Sequence, residues 1–180
     1  MNATLKTIYE RRSLRKYKNQ PVDKSLIEQI IDAGRMAPSA MNRQPWKFYV
    51  VTDRIKINSL SGAIAKVAES FFPLSHGMVN TETADIIFHQ APVVIFITAP
   101  RNKEWTGIDI GMCTLNMMLA AKSIGLDTCP VGLAKYLELA DRKTFLSLPD
   151  AEEIHLAIVL GYGDEKPEVH ERKKDNMKFV

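Results

Sequence analysis

Three guanidinium groups and a hydroxyl fall within five residues near the start of the chain, in Arg11-Arg12-Ser13-Leu14-Arg15. Arginine makes bidentate, charge-assisted hydrogen bonds to oxyanions, so the run suits a phosphate. It reads equally as the solvated face of a helix. A second cluster is Pro38-Ser39-Ala40-Met41-Asn42-Arg43-Gln44-Pro45-Trp46. Pro38 and Pro45 fix their own φ angles and restrict their predecessors, which gives a stiff loop. Such a loop can offer Ser39, Asn42 and Gln44 to a planar polar ring. It can also be a connector whose amides satisfy local backbone groups.

Other chemistry finds no support. There is no G-x-G-x-x-G turn for a tightly held dinucleotide, and Gly161-Tyr162-Gly163 lacks both the third glycine and a following helix. No G-x-x-x-x-G-K-[ST] or G-x-S-x-G occurs. His76, His89, His155 and His170 are scattered without an H-E-x-x-H pair, so no metal is expected. Cys113 and Cys129 have no C-x-x-C spacing, and Cys113 lies in an apolar run as a structural thiol.

The elements that must position the two clusters follow from composition and period. The chain has 180 residues, 46% apolar and 25% charged, which is the make-up of a soluble globular domain. A formal charge of +3 is too small for the concentrated basic face of a nucleic-acid binder. Met1–Glu10 has no apolar core of a signal peptide, and no run reaches the roughly 18 residues of a membrane span. A cytoplasmic location with reduced thiols is expected.

Asp23 is placed as an N-cap with Val22 and Ile27 as a hydrophobic staple, and Leu26, Ile27, Ile30, Ile31 and Ala37 recur at helical spacing. Gly34 weakens this helix and Pro38 ends it. A strand is predicted over Lys47–Thr52, then a helix capped by Asp53 and carrying Ile57, Leu60 and Ile64. The stretch from Phe71 to Asn80 has no period and reads as a lid or a disordered bridge. Pro92–Ala99 is a strand covered on both faces. Gly107–Ile124 is apolar on nearly every side, as a core helix or a subunit interface would be, with Gly125 at its C-terminal stop. An extended piece at Leu126–Leu133, a weaker helix over Tyr136–Leu146 and a strand at Ile154–Leu160 follow. Beyond Pro167 the tail has no core pattern and must dock or stay mobile. The result is an α and β mixture on one sheet of about four strands, with strand directions open.

Taken in order, R-R-S-x-R, A-P-S-x-x-N-x-Q-P-W, Ala91-Pro92, Asp109, Leu119-Ala120-Ala121 with Gly125-Leu126, Pro130-Val131-Gly132 and Leu160-Gly161-Tyr162 resemble the nitroreductase family of FMN-dependent oxidoreductases. The resemblance spans nearly the whole chain. It implies an α+β fold with a central mixed or antiparallel sheet of about four to five strands flanked by helices. It also implies one domain over 1–180 and an intertwined homodimer with FMN at the subunit interface. The tail, from about 165 to 180, would reach the partner. By the same resemblance Arg11, Arg12 and Ser13 meet the FMN phosphate together with Arg172, while His170 stands where relatives often carry lysine. Arg15 sits near flavin N1 and O2, where a fixed cation stabilises the charge left by two-electron reduction. Pro38, Ser39, Ala40 and Asn42 approach the ring from the other subunit, with Gln44 supporting them. Pro130, Val131 and Gly132 lie along the ring, with an N–H near Gly132 on N5. Lys66 is a counterpart for a middle-region Asn and Lys pair of some relatives.

The activity implied is ping-pong transfer from NAD(P)H through the flavin to a small acceptor such as a nitroaromatic or quinone, with no role for nucleic acid or membrane. Phe71, Phe72 and Trp105 line the access or pack in the core. Alternatives are a non-catalytic flavin- or nucleotide-binding module, a specialised dehalogenase or heterocycle dehydrogenase of the same family, and a nucleic-acid-interacting domain using Arg11 to Lys18.

Overall fold

The computed structural model describes residues 1–71, 85–101, 104–140 and 142–180. In chain order the elements are α1 (Ala3–Glu10), α2 (Lys24–Arg35), a short 3-10 turn (Ala40–Asn42), β1 (Lys47–Val51), α3 (Arg54–Ala68) and β2 (Val93–Pro100). They continue with α4 (Thr106–Ser123), β3 (Asp127–Val131), a 3-10 segment (Gly132–Leu139), α5 (Arg142–Leu146) and β4 (Glu152–Gly161). The stretch from Phe72 to Asn80, with Phe72 and His76, lies outside the described residues. Beyond Gly161 the described chain has no helix or strand of its own.

The four strands form one antiparallel sheet in the order β1-β2-β4-β3. This settles the strand directions, which an apolar run cannot encode. β2 is buried from Val93 to Ala99 because both faces are covered. Val94 and Phe96 join Val159 of β4 under Ile57, Leu60 and Ile64 of α3. Val93, Ile95 and Ile97 join Ile158 and Leu160 under α2 and α4. Each such side chain contributes roughly 1.5–3 kcal/mol by leaving water.

The helices begin and pack for local reasons. Asp53 caps α3 by accepting from Lys56 N at 2.7 Å. At the start of α2, Asp23 makes no side-chain cap bond, but Val22 and Ile27 are both buried as a staple requires. Gly34, read as a weak point, is instead where α2 meets α4: a Cβ there would lie 2.6 Å from Met117 Cγ and 3.1 Å from Cys113 Sγ. Gly125 closes α4 in the left-handed region at φ +84°.

Two expectations change. The helix predicted over Tyr136–Leu146 is a 3-10 segment followed by α5, interrupted where Ala140 turns extended. Nor is α4 buried all round. Ile110, Cys113, Met117 and Ala121 face the core, while Ile108 and Leu115 are exposed on the outer side. The apolar stripe of α1 (Leu5, Ile8, Tyr9) is exposed too.

One polar cluster is built into the sheet. Glu152 is buried and accepts from Thr98 Oγ1 at 2.9 Å and Tyr49 Oη at 3.1 Å, and it pairs with Lys47 Nζ. Burial alone would push its carboxyl up, but the three donors outweigh this and hold it below its ordinary range.

Candidate active site

After α1 the chain runs extended along the edge of the sheet. Ser13 makes a parallel bridge to Thr128 of β3, and Leu14 N donates to Thr128 O at 3.1 Å. Tyr17 makes an antiparallel bridge to Gly163, and Lys18 N donates to Tyr162 O at 2.9 Å. Leu14 is buried, so the period of two turns Ser13 and Arg15 to the opposite side. Glu165 fastens the tail here: its Oε1 accepts from the backbone N–H groups of Arg15 and Lys16.

Arg11 sits at the end of α1, where its Nη1 is buried and has no hydrogen-bond partner. Burial, then the charges of Arg12 and Arg172, pull its pKa below the usual arginine value. The tail thus brings Arg172 into electrostatic range of Arg11. A buried cationic donor without an acceptor, beside two further guanidinium groups, is a costly arrangement that an anion relieves. Arg12 is less free, since its Nη1 donates to Tyr9 O and Arg11 O at 2.6 and 2.8 Å. It lines a different hollow, with Lys122 and Asp127.

Next to this cluster lies a cleft of about 240 Å³, whose walls are Arg15, the run Cys129–Leu133, and Ile86, Ile87 and His89. Cys129 lies in this wall, where burial pushes its thiol above its ordinary value and Arg15 is the first of the groups that oppose the shift. The part of the wall that carries Ile86, Ile87 and His89 is a strap held from several sides. Asp85 accepts from Phe88 N at 2.8 Å and Gln90 N at 3.0 Å, Ser61 Oγ accepts from Ile87 N at 3.1 Å, and Arg54 donates to Gln90 O and Ala91 O at 3.0 Å. Lys66 is exposed in the last turn of α3 and is not part of this wall.

The second predicted cluster is a rigid turn. Met41 and Asn42 at φ 54° and Gln44 at φ 46° are left-handed. Ser39 Oγ accepts from Gln44 N at 2.9 Å, and Gln44 Nε2 donates to Asn42 Oδ1 at 3.1 Å. Buried Asp109 accepts from Ala40 N at 2.9 Å, and Ala37 and Trp46 anchor the ends in the layer of α2 and α4. Beside Ala40 lies a hollow of about 320 Å³ that includes Trp105, which is exposed. Phe71 is exposed as well and stacks on Tyr136, with ring centroids 5.4 Å apart.

Within one chain the two clusters do not meet. Cys129, Val131 and Ile87 of the cleft belong to the α3 side of the sheet, whereas the Pro38–Trp46 loop is anchored on the α4 side. Asp109 holds the loop near the start of α4, and Lys122, beside Arg12, lies near its end. The intervening helix spans about 20 Å at 1.5 Å per residue.

The family model described as the nitroreductase family matches residues 8–162, from the last turns of α1 to the end of β4. The chain belongs to the nitroreductase family. Among its relatives, a 4-nitrobenzoate reductase from Pseudomonas putida is 32% identical over 91% of this chain and 86% of that one. A nitroreductase with bound FMN from Desulfitobacterium hafniense superposes with a TM-score of 0.87 at 26% identity, over 100% of this chain and 99% of the other. A second FMN-bound nitroreductase, from Bacteroides fragilis, gives 0.83 at 25% identity over the full length of both. The α+β nitroreductase fold is therefore established. His89, which lines the cleft, and Glu165, which fastens the tail beside Arg15, are two residues that sequence reasoning missed. Neither stands in a motif, although the charged tail that holds Glu165 did demand a docking place.

Among the described residues no three His, Cys, Asp or Glu side chains converge to hold a metal. No helix among them is long and apolar enough to cross a membrane.

Proposed function

We propose that this protein is an FMN-dependent NAD(P)H oxidoreductase that reduces nitroaromatic, quinone or similar small acceptors, working as a homodimer. The observation that carries this reading is the orphaned, buried Nη1 of Arg11 beside Arg12 and Arg172, within electrostatic range of Cys129 in the wall of a cleft that also holds Arg15. An elongated ligand with a phosphate at one end and an electron-accepting ring at the other fits that order of groups.

Bound here, FMN would supply the redox chemistry, the acceptance of a hydride from NAD(P)H and the return of two electrons to the acceptor. Arg11, Arg172 and Ser13 hold the phosphate, with Arg12 adding charge from its tied position. Arg15 offers a fixed cation to the pyrimidine edge, where negative charge gathers on reduction. Pro130, Val131 and Gly132 support the ring along β3 and the turn after it. Pro38, Ser39, Ala40 and Asn42, braced by Gln44, close the site from a second copy, since within one chain they lie on the wrong side of the sheet. The exposed apolar faces of α1 and α4 would supply the surface that such a pairing buries, and the exposed end of the tail past Arg172 would reach the partner. Donor and acceptor take turns at one open face, which gives ping-pong kinetics and needs no dinucleotide fingerprint.

Purified protein loaded with FMN is mixed with NADH or NADPH without oxygen. Bleaching of the yellow band, reversed by a nitroaromatic or quinone, is expected. Persistent colour with both donors would leave a passive flavin binder, and failure to retain FMN at all would overturn the reading.

A further inference from the structure

Among the described residues His89 is the one imidazole in the wall of the cleft, and its position is over-determined. It lies in the left-handed region at φ 57°, followed by Gln90 at φ 56°, a pair of conformations that non-glycine residues adopt at a cost. Asp85 brackets the pair through Phe88 N and Gln90 N, and Arg54 grips the carbonyls of Gln90 and Ala91. The half-buried ring shares the cleft wall with Arg15, and nothing in the phosphate or loop clusters uses it. Strain held so firmly at a titratable side chain facing a ligand cleft points to a role for that side chain.

We propose that His89 is a redox-linked proton acceptor, taking one proton from solvent as two electrons enter the cofactor held in its cleft. This rests on the FMN reading above and adds to it. The balance is simple. Two electrons and one proton enter the cofactor as a hydride, which leaves one added negative charge in the cleft. The second proton binds the imidazole, so the charge of the site as a whole is unchanged.

The groups facing His89 favour such a switch. Burial, and then the Arg15 charge, keep the imidazole below its ordinary value, while Asp85 on its own strap and Glu165 on the tail pull the other way. The ring is therefore neutral at neutral pH while the cleft carries no extra charge. An added negative charge cancels the effect of Arg15 and raises the affinity for a proton, on the order of tenfold or more for a charge at side-chain range. The sign follows. Below both values of the imidazole pKa the ring is charged in either redox state, and above both it is neutral. Only between them is an additional proton taken up, so falling pH eases reduction most steeply there.

The test compares the midpoint potential of FMN-loaded wild type and His89→Asn from about pH 5 to pH 9. Asparagine is chosen because it tolerates left-handed backbone. Wild type should show a window in which one more proton accompanies each electron pair than in the variant. Identical slopes with FMN retained in both would overturn the role of His89 and leave the FMN reading intact. Loss of FMN from wild type would overturn both. A second measurement needs only the wild-type holoprotein: NMR titration of the assigned His89 ring, oxidised and reduced, with His155 and His170 as references. A pKa for His89 that does not rise on reduction would overturn the proposal, whatever the variant does.

Discussion

Arg11 offers the sharpest test among single side chains. Its buried Nη1 lacks a partner and sits among like charges, so it weakens the folded chain until an anion arrives. Arg11→Ala should lower FMN affinity by about 10- to 100-fold, as expected for a lost hydrogen bond to a charged group of about 1.5–3 kcal/mol. The same change should leave the melting temperature without FMN unchanged or raised. Fluorescence titration and a thermal melt check the two halves, and undiminished FMN affinity would remove the phosphate assignment. Glu152 gives a pH test. Its carboxyl is held below the ordinary glutamate value near 4.3, so its stabilising effect is complete above that value. That effect is lost as pH falls through the lower folded-state value. Glu152→Gln should therefore flatten the acid limb of stability, read as the urea midpoint between about pH 3 and pH 6. At this scale the sequence disclosed what motifs disclose: the arginines, Ser39, Asn42 and Gln44 are legible as types in order. His89 was not, because two left-handed residues without glycine leave no mark in the letters.

Among the elements, the junction of α2 and α4 depends on the missing side chain of Gly34. Gly34→Val should cost about 2–3 kcal/mol, since a branched residue must displace Met117 and Cys113 from a filled layer. Gly62, in the middle of α3, has nothing within 4 Å of where a Cβ would stand, so Gly62→Ala should stabilise by about 0.5–1 kcal/mol. Thermal or urea unfolding of the pair decides whether packing, rather than helix propensity, governs these positions. Element order and bounds were nearly all readable, because β2 and β4 are apolar runs of strand length, α3 carries a clean helical period and α4 ends in a glycine that can turn left-handed. The segment after β3 was not. Leu133, Tyr136 and Leu137 suit a helix by type, yet the chain winds as a 3-10 segment that packs against α3. Tertiary contacts overrode the local preference.

For the whole molecule, the separation of the two clusters within one chain predicts a specific form of complementation. A chain with Arg11→Ala and another with Asn42→Leu should each bind FMN poorly as pure proteins. Mixed and reassociated, half-mutant dimers contain one site with both lesions and one with none, so FMN binding should return to about half the wild-type stoichiometry in that fraction. Recovery is read by equilibrium dialysis after tandem affinity purification. Absence of recovery in verified mixed dimers would place both clusters in the same chain's site, contrary to the proposed pairing. The proposed two-chain site has a hint in the sequence of α4, whose apolar residues include the exposed Ile108 and Leu115. The segment from Arg11 to Tyr17 has another consequence, which concerns synthesis. It is synthesised well before the strand and turn it leans on, at Thr128 and Gly163. The anion-gathering corner is thus the last part of the fold to be completed, and a nascent chain cannot capture its cofactor early.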